Sequence, residues 1–280
     1  MTYRGRGLMT QEKVVRFGFF LFIFLLVAIW EFLAPRRQLT TSKVRRWLRN
    51  LAITVVNPAL VHAIFPVLAV SMAFKAQESE WGLMHAFGVP YWMAFALSIV
   101  ALDFIIYLQH LMFHAVPLLW RLHMVHHADM NIDVTTGLRF HPVEILISML
   151  IKLSAVAVIG PPVAAVVTFE VILNGMAMFN HGNIRLPLGI DLLLRLLIVT
   201  PDMHRVHHSI YPRETNTNFG FNLSWWDRLF GTYKAQPMDG HDGMTIGLRQ
   251  YQDESKVTLP RILLMPFVGD IGKYAIGKRG

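Results

Sequence analysis

The residues with the clearest chemical potential in this chain are its histidines. Five of the thirteen fall within residues 110–127, namely His110, His114, His123, His126 and His127. A second block repeats the H-x-V-H-H spelling of residues 123–127 at a distance of 81 positions, and it contains His204, His207 and His208. Because neutral imidazole is the commonest side-chain metal ligand, this repeated pattern predicts a metal site.

Helical geometry determines how such histidines can share a metal ion. Side chains four residues apart lie on one face of a helix, so His110 and His114 can converge on one ion. The adjacent His126 and His127 point about 100° apart, which suits either two ions or one ion and one supporting hydrogen-bond group. The two blocks supply eight imidazoles, whereas a zinc ion takes about four ligands. We therefore predict two metal ions.

The ligand type alone does not identify the metal, because imidazole binds zinc, copper, iron and nickel. The residues between His110 and His114 are all apolar, whereas zinc hydrolases with the H-E-x-x-H motif carry a carboxylate base between their ligands. The chain has no cysteine, which excludes Cys-ligated zinc and an iron–sulfur cluster held by the chain itself. Iron that uses dioxygen on an apolar substrate fits these features better than hydrolytic zinc.

The composition indicates an integral membrane protein. Hydrophobic residues make up 54% of the chain and charged residues only 16%, and the mean hydropathy is +0.43, which is too apolar for an ordinary soluble domain. The formal net charge of +8 comes from basic residues beside apolar segments, a pattern that the positive-inside rule and anionic lipids explain. No nucleic-acid recognition motif accompanies this charge, so no nucleic-acid partner is expected.

The apolar segments predict an all-α integral membrane helical bundle of about four spanning segments, one of them a hairpin. Single segments cover residues 17–33, 51–74 and 91–113, and each reaches the length of about 17–25 residues that a spanning helix needs. The hairpin consists of residues 143–159 and 162–179, with a Gly-Pro-Pro turn between them. The first segment is interpreted as a retained helix, because no small-residue cleavage site follows it.

Two segments have special features. Pro58 and Pro66 interrupt the second apolar segment and predict a kinked span. Residues 188–199 are too short to span a membrane and contain Asp191 and Arg195, which predicts an interfacial helix.

The distribution of charge predicts the side of the membrane on which the histidines lie. Residues 34–50 form the most basic loop, with six arginine or lysine residues, and are predicted to face the cytoplasm. Counting spans from this loop places both histidine blocks on that face, in a cytoplasmic histidine-rich helical cap. The predicted organisation is an N-terminal membrane region at 1–90, a catalytic domain at 91–235 and a C-terminal tail at 236–280.

The histidine boxes and their flanking sequences resemble a known family. The boxes are H-x3-H at 110–114 and H-x2-H-H at both 123–127 and 204–208. The flanking sequences are P-L-L-W-R at 117–121, R-F-H-P-V-E at 139–144, N-H-G-N at 180–183 and W-D-R-L-F-G-T-Y at 226–233. Over residues 90–235 the chain resembles the fatty acid hydroxylase/sterol desaturase superfamily of integral-membrane di-iron oxygenases.

This resemblance implies two iron ions that use dioxygen as co-substrate and two external electrons. They would hydroxylate or desaturate an unactivated C–H bond of a lipid, fatty acyl or sterol-like substrate. The resemblance also implies His181 as a further ligand, and His141 as the next candidate after it. No haem domain is apparent and no haem or iron–sulfur cluster is expected in this chain, so an external haem or iron–sulfur redox protein or a reductase would supply the electrons.

Two residues of the third apolar segment are predicted to support the ligands. Asp103 and Tyr107 share the helix face of His110 and His114. A carboxylate is costly to bury in a membrane segment and is a functional candidate for that reason. The expected role of Asp103 is to accept a hydrogen bond from a ligating imidazole, and the alternative is an ion pair with an arginine.

Two other functions stay open at this point. The first is a metal-dependent membrane hydrolase, which would need neither dioxygen nor a reductant. The second is a metal transporter or sensor, although transporters typically place their ligands at mid-membrane in several spans, whereas these boxes are predicted to lie at one face.

Overall fold

The computed structural model of the protein describes residues 3–276, and its regular elements are helices. The first two residues of the predicted N-terminal region and the last four of the predicted tail lie outside this range. The α-helices of the described residues are α1 (Tyr3–Leu33), α2 (Lys43–Ile64), α3 (Ala69–Glu78), α4 (Leu83–Ala86), α5 (Tyr91–Ala115), α6 (Pro117–His127), α7 (Pro142–Ile159), α8 (Val163–Asn180), α9 (Leu188–Leu194), α10 (Pro201–His207), α11 (Pro212–Thr215), α12 (Trp225–Leu229), α13 (Gly240–Gly243) and α14 (Leu259–Val268). Three short 3₁₀ helices cover Thr136–Leu138, Arg249–Tyr251 and Glu254–Val257. The β-type backbone pairing within residues 3–276 is limited to isolated bridges. The predicted all-α class is therefore confirmed.

Five helical segments of the described chain are long and apolar enough to cross a membrane. They are Glu12–Leu33, Lys43–Ala86, Tyr91–Ala115, Pro142–Ile159 and Val163–Asn180. The shortest have 18 residues and reach about 27 Å at about 1.5 Å per residue, close to the hydrocarbon thickness of a bilayer. The predicted multi-pass helical bundle is thereby confirmed, with the two arms of the hairpin counted as separate spans.

The two prolines of the second segment have different effects. Pro58 lies inside α2 and does not end it, whereas α2 stops at Ile64, just before Pro66. Proline disfavours the α conformation in the residue before it, and Phe65 is accordingly extended, with φ −102° and ψ 108°. The predicted kink is therefore a break at Pro66, after which the chain continues as α3.

The α7–α8 hairpin brings two distant parts of the sequence to the same side of the bundle. Gly160 forms its turn with φ 63°, a left-handed conformation that glycine adopts without strain. Trp81 and Gly82 pack against this turn so closely that a Cβ on Gly82 would lie 2.4 Å from Gly160 Cα. Because the turn is at one end, the start of α7 and the end of α8 share the other, where the histidines lie.

Packing of the spans positions the helices that carry the boxes. The long α5 contacts α6, α7 and α8, and α10 contacts α8. Val116 is extended, with φ −92° and ψ 115°, and Pro117 occupies the first turn of α6, a position at which proline is well tolerated. The chain therefore changes direction between the two helices, and α6 folds back beside the end of α5.

The C-terminal part of the described chain packs against α6 as part of the core. Ile262, Met265 and Tyr274 form one buried apolar cluster with Trp120 and Met124 of α6. Residues 248–275 therefore contribute to the apolar core on one side of α6, the helix that carries three of the box histidines.

The predicted interfacial helix at 188–199 is shorter than expected. Helix α9 ends at Leu194, and Arg195 forms a buried ion pair with Asp191 at 2.7 Å. Leu193 and Leu196 are 67% and 62% exposed. Such an exposed apolar face is typical of contact with a membrane, and its interfacial location stays a prediction.

Candidate metal centre

Nine of the ten predicted metal ligands form two adjacent groups. The five-histidine group contains His110, His114, His123, His127 and His207. The four-histidine group contains His126, His181, His204 and His208. Each residue offers one ring nitrogen, and within each group these nitrogens all lie within 4.8 Å of one another. The adjacent pairs His126–His127 and His207–His208 each divide between the groups, as the angular offset of neighbouring helical residues requires.

The five-histidine group is assembled from the end of α5, from α6 and from α10. His110 Nε2 lies 3.2 Å from His123 Nε2. The opposite nitrogens of these rings have other partners, since His110 Nδ1 donates to the Phe219 carbonyl at 2.9 Å and His123 Nδ1 to Glu144 Oε1 at 2.6 Å. The ring centroids of His110 and His207 are 4.6 Å apart.

The four-histidine group is centred on His181, at the C-terminal end of α8. Its Nε2 lies 3.0 Å from His126 Nε2 and 2.9 Å from His204 Nε2, and His204 Nε2 lies 3.3 Å from His208 Nε2. The Nδ1 atoms of His181 and His126 donate to the carbonyl oxygens of Ala177 at 2.7 Å and Arg139 at 3.3 Å.

This arrangement of nitrogens fits a bound cation. A carbonyl oxygen only accepts, so Nδ1 of His181 and of His126 carries the proton and each Nε2 carries a lone pair. Lone pairs that face each other at 3.0 Å repel unless a positive charge lies between them. Two ligands at a right angle, each about 2.1 Å from a metal, would be about 3.0 Å apart. Histidine–carbonyl and histidine–carboxylate contacts of this kind typically orient metal-bound imidazoles.

Unpaired polar atoms support the same interpretation. Among the described residues, the Nε2 atoms of His114, His127 and His207 are buried without a hydrogen-bond partner. A buried polar atom without a partner destabilises the folded state by about 1–3 kcal/mol. Three such atoms in one group would therefore destabilise an empty core strongly. A metal ion would satisfy all of them.

Six of the histidines outside the spans are uncharged at neutral pH. Burial, together with the neighbouring imidazoles, lowers the pKa values of five of them well below the ordinary 6.5, namely those of His126, His127, His204, His207 and His208. Burial lowers the pKa of His181 to about 4, although its hydrogen bond to Ala177 opposes the shift. Each ring therefore has the lone pair that metal ligation needs.

The structure places the other predicted site residues away from the ligand nitrogens. Asp103 accepts from Trp226 Nε1 at 2.8 Å and from the Leu223 amide at 3.2 Å. The Tyr107 hydroxyl lies 3.0 Å from Thr232 Oγ1. Both residues therefore contact the segment that follows the third box, and neither forms a hydrogen bond to an imidazole nitrogen within residues 3–276. A supporting role for them in catalysis stays a prediction.

His141 belongs to neither group. Its Nδ1 accepts from the Val143 amide at 3.2 Å as the N-cap of α7, and its Nε2 donates to the Leu263 carbonyl at 3.1 Å. Both ring nitrogens are thus occupied by backbone partners.

Several groups that support the ligands were missed by reasoning from the sequence. Besides Glu144, the loop at 216–219 contributes three hydrogen-bond acceptors to the five-histidine group. Two of them are backbone carbonyls, which have no side-chain signature. Glu144 could have been predicted from the sequence, because it lies in the first turn of a helix that starts at Pro142, shortly after the second box.

Fold and site together define a class of protein. The described chain is a multi-pass helical membrane protein, and two buried groups of histidines that could hold metal ions lie beside the ends of its spans.

Comparison with known sequences tests the family resemblance. Residues 95–232 match the fatty acid hydroxylase family. This range contains all three boxes, so the family resemblance drawn from them is confirmed.

Individual relatives agree with this assignment. The chain is 28% identical over 217 residues to ornithine lipid hydroxylase OlsE of Rhizobium tropici, a match that covers 76% of this chain and 65% of the relative. It is 29% identical over 190 residues to alkylglycerol monooxygenase of Danio rerio, covering 67% of this chain and 41% of the relative. The enzyme of the same name from Homo sapiens is 29% identical over 189 residues, covering 66% and 41%. The chain thus spans less than two thirds of the length of these relatives. No solved structure matches it significantly.

Proposed function

We propose that this protein is a membrane-bound non-haem di-iron oxygenase that hydroxylates an unactivated C–H bond of a lipid. The observation that carries the proposal is the pair of adjacent, buried histidine groups beside the ends of spanning helices. The similarity to proteins named as a lipid hydroxylase and as monooxygenases supports an oxidoreductase. It also favours hydroxylation over desaturation.

In this proposal the five-histidine group holds one iron ion and the four-histidine group holds the other. When bound, the two ions supply the activation of dioxygen, with electrons from an external haem or iron–sulfur redox protein or a reductase. The chain's own residues hold the rings. In six of the nine rings, carbonyl oxygens and Glu144 keep the proton on Nδ1, so that Nε2 is directed inward as a ligand.

The proposed substrate is a lipid whose chain approaches from the bilayer. Two of the relatives are named for an ornithine lipid and for alkylglycerols, and α5 carries His110 and His114 at the end of a spanning helix. A lipid held beside α5 would have one segment of its chain near both histidine groups. Position along the bound chain, rather than the reactivity of the C–H bonds, would then select the carbon.

Isotope labelling tests the reaction class. Purified full-length protein in lipid nanodiscs is incubated with a membrane lipid extract, a ferredoxin with its reductase, and isotopically labelled dioxygen. We expect one labelled oxygen atom in the hydroxylated lipid, and no product without dioxygen or without the reductase. A product formed anaerobically, with its oxygen taken from labelled water, would instead identify a metal-dependent hydrolase.

We further propose that the metal centre faces the cytoplasm. The basic loop at 34–50 lies on the same side of the bundle as the histidines, since Arg36 forms an ion pair with Asp202 at 3.4 Å. Arg37 likewise donates to the Met244 carbonyl at 2.6 Å. The positive-inside rule favours a cytoplasmic location for such a loop.

Single-cysteine labelling tests this orientation directly, because the chain has no cysteine of its own. Lys256 is exposed on the histidine side, and Glu78 is exposed at the end of α3, near the hairpin turn. In intact cells, an impermeant maleimide is expected to label Glu78→Cys and to leave Lys256→Cys unlabelled until the membrane is opened. The reverse pattern would place the metal centre on the other face.

A further inference from the structure

One short loop supplies hydrogen-bond acceptors to three of the five histidines in the five-histidine group. We name residues 216–220 the acceptor loop. Asn216 Oδ1 accepts from His114 Nδ1 at 3.1 Å, the Thr217 carbonyl from His207 Nδ1 at 2.7 Å, and the Phe219 carbonyl from His110 Nδ1 at 2.9 Å. The shape of this loop therefore sets both the tautomer and the direction of three predicted ligands.

A single buried carboxylate holds the acceptor loop in place. Asp227 Oδ1 accepts from the Phe219 amide at 2.7 Å, and Asp227 Oδ2 accepts from the Gly220 amide at 2.7 Å. The Asp227 side chain is fully buried, and Thr232 Oγ1 donates to its Oδ1 at 2.6 Å. The carboxylate packs so closely on Gly220 that a Cβ there would lie 2.7 Å from Oδ2.

The loop also contains an unusual backbone conformation that its surroundings maintain. Asn218 has φ 54°, in the left-handed region that asparagine tolerates better than most residues. Its Nδ2 donates to the Met203 and Lys234 carbonyls, both at 2.8 Å, and its Oδ1 accepts from the Lys234 amide at 2.8 Å. Asn218 ties the middle of the loop to α10, while Asp227 fixes the end that carries the Phe219 carbonyl.

We propose that Asp227 is a positioning residue for the five-histidine group and acts on its metal affinity through the acceptor loop. This inference rests on the proposed two-metal centre. Asp227 has no place in the four-histidine group, where His181 and His126 donate instead to the carbonyls of Ala177 and Arg139. A residue that acts through the acceptor loop must therefore affect one metal site and spare the other.

The test is a cobalt(II) titration of the metal-free, full-length protein in detergent, followed by absorption and calorimetry. Wild-type protein is expected to bind two Co²⁺ ions in two phases, and His207→Ala and His126→Ala assign each phase to its group. Asp227→Asn keeps the size of the side chain but can accept from only one of the two amides. We expect it to weaken binding at the five-histidine group by about 10–100-fold, the usual effect of residues behind a ligand, and to leave the other phase unchanged.

Two further variants complete the test. Glu170→Gln alters another buried carboxylate, in α8, which pairs with Lys152 of α7 at 2.9 Å. This variant should leave both phases unchanged. Thr232→Val removes the hydroxyl that donates to Asp227 and should weaken the same phase as Asp227→Asn, by less. If Asp227→Asn does not fold, the Thr232→Val result decides.

Equal weakening of both phases would show a general structural role and overturn the proposal, as would unchanged binding. Cobalt binding needs no dioxygen, reductant or substrate, so these results stand apart from the enzymatic assay. If the wild-type protein failed to bind two ions, the proposed two-metal centre itself would be wrong.

Discussion

Replacing His207 or His126 by alanine is expected to lower lipid hydroxylation by more than about 100-fold, since changes behind a ligand already cost about 10–100-fold. The two residues sit in different groups, His207 with His110 and His114, and His126 with His181 and His204. Each alanine removes one inward-facing nitrogen and leaves the other group intact.

Metal content separates this expectation from simple unfolding. Wild-type protein purified anaerobically should contain about two iron ions per chain, and each variant should contain about one. The measurement is elemental analysis of the protein peak after gel filtration, with activity measured on the same sample. Full activity with two irons in either variant would contradict the assignment of these histidines.

His141 provides a matched control for the same experiment. It was predicted as a ligand with the others, but its ring nitrogens contact the Val143 amide and the Leu263 carbonyl. His141→Asn keeps an oxygen that can cap α7, so this variant should retain both irons and most of the activity. Loss of one iron in this variant would show that His141 is a ligand after all.

The clustering of the box histidines could be predicted from the sequence because their geometry is local. Spacings of three and four residues on a helix determine which side chains converge, and the offset between His126 and His127 divides them between two groups. The hairpin could also be predicted from the sequence, because Gly160 and the two following prolines are typical of a turn and lie between two apolar segments. The family resemblance, the fold class and the membrane character could therefore be predicted from the sequence.

The hydrogen-bond partners of the site residues could not be predicted, because they depend on contacts between residues distant in sequence. Asp103 lies on the face of His110, as periodicity predicts, yet its partners are Trp226 and Leu223, more than a hundred positions away. The carbonyls of the acceptor loop have no signature in the sequence at all. Spacing along a helix thus predicts which histidines converge, and only the folded chain shows which groups orient them.

A buried ion-pair network behind the second box leads to the second prediction of large effect. Arg46 of α2 is 1% exposed and lies between two carboxylates, with Nε 2.7 Å from Asp129 Oδ1 and Nη1 2.6 Å from Asp133 Oδ2. Burial alone would raise the pKa of Asp129, but Arg46 holds it well below its usual range. Asp129 is therefore charged. Both aspartates lie in the segment between His127 and Arg139, and the Arg139 carbonyl accepts from His126.

Arg46→Ala is expected to lower the free energy of unfolding by about 3–5 kcal/mol, because it leaves two buried carboxylates without their counter-charge. Arg45→Ala is the matched control. Its side chain is 72% exposed and pairs with Glu254 at 3.0 Å, and such surface pairs contribute less than about 1 kcal/mol. The measurement is equilibrium unfolding of the metal-free protein in detergent.

Adding Asp129→Asn to Arg46→Ala removes one of the uncompensated charges and should recover part of the lost free energy of unfolding. Equal destabilisation by Arg45→Ala and Arg46→Ala would refute the network, because burial is what distinguishes these neighbouring arginines.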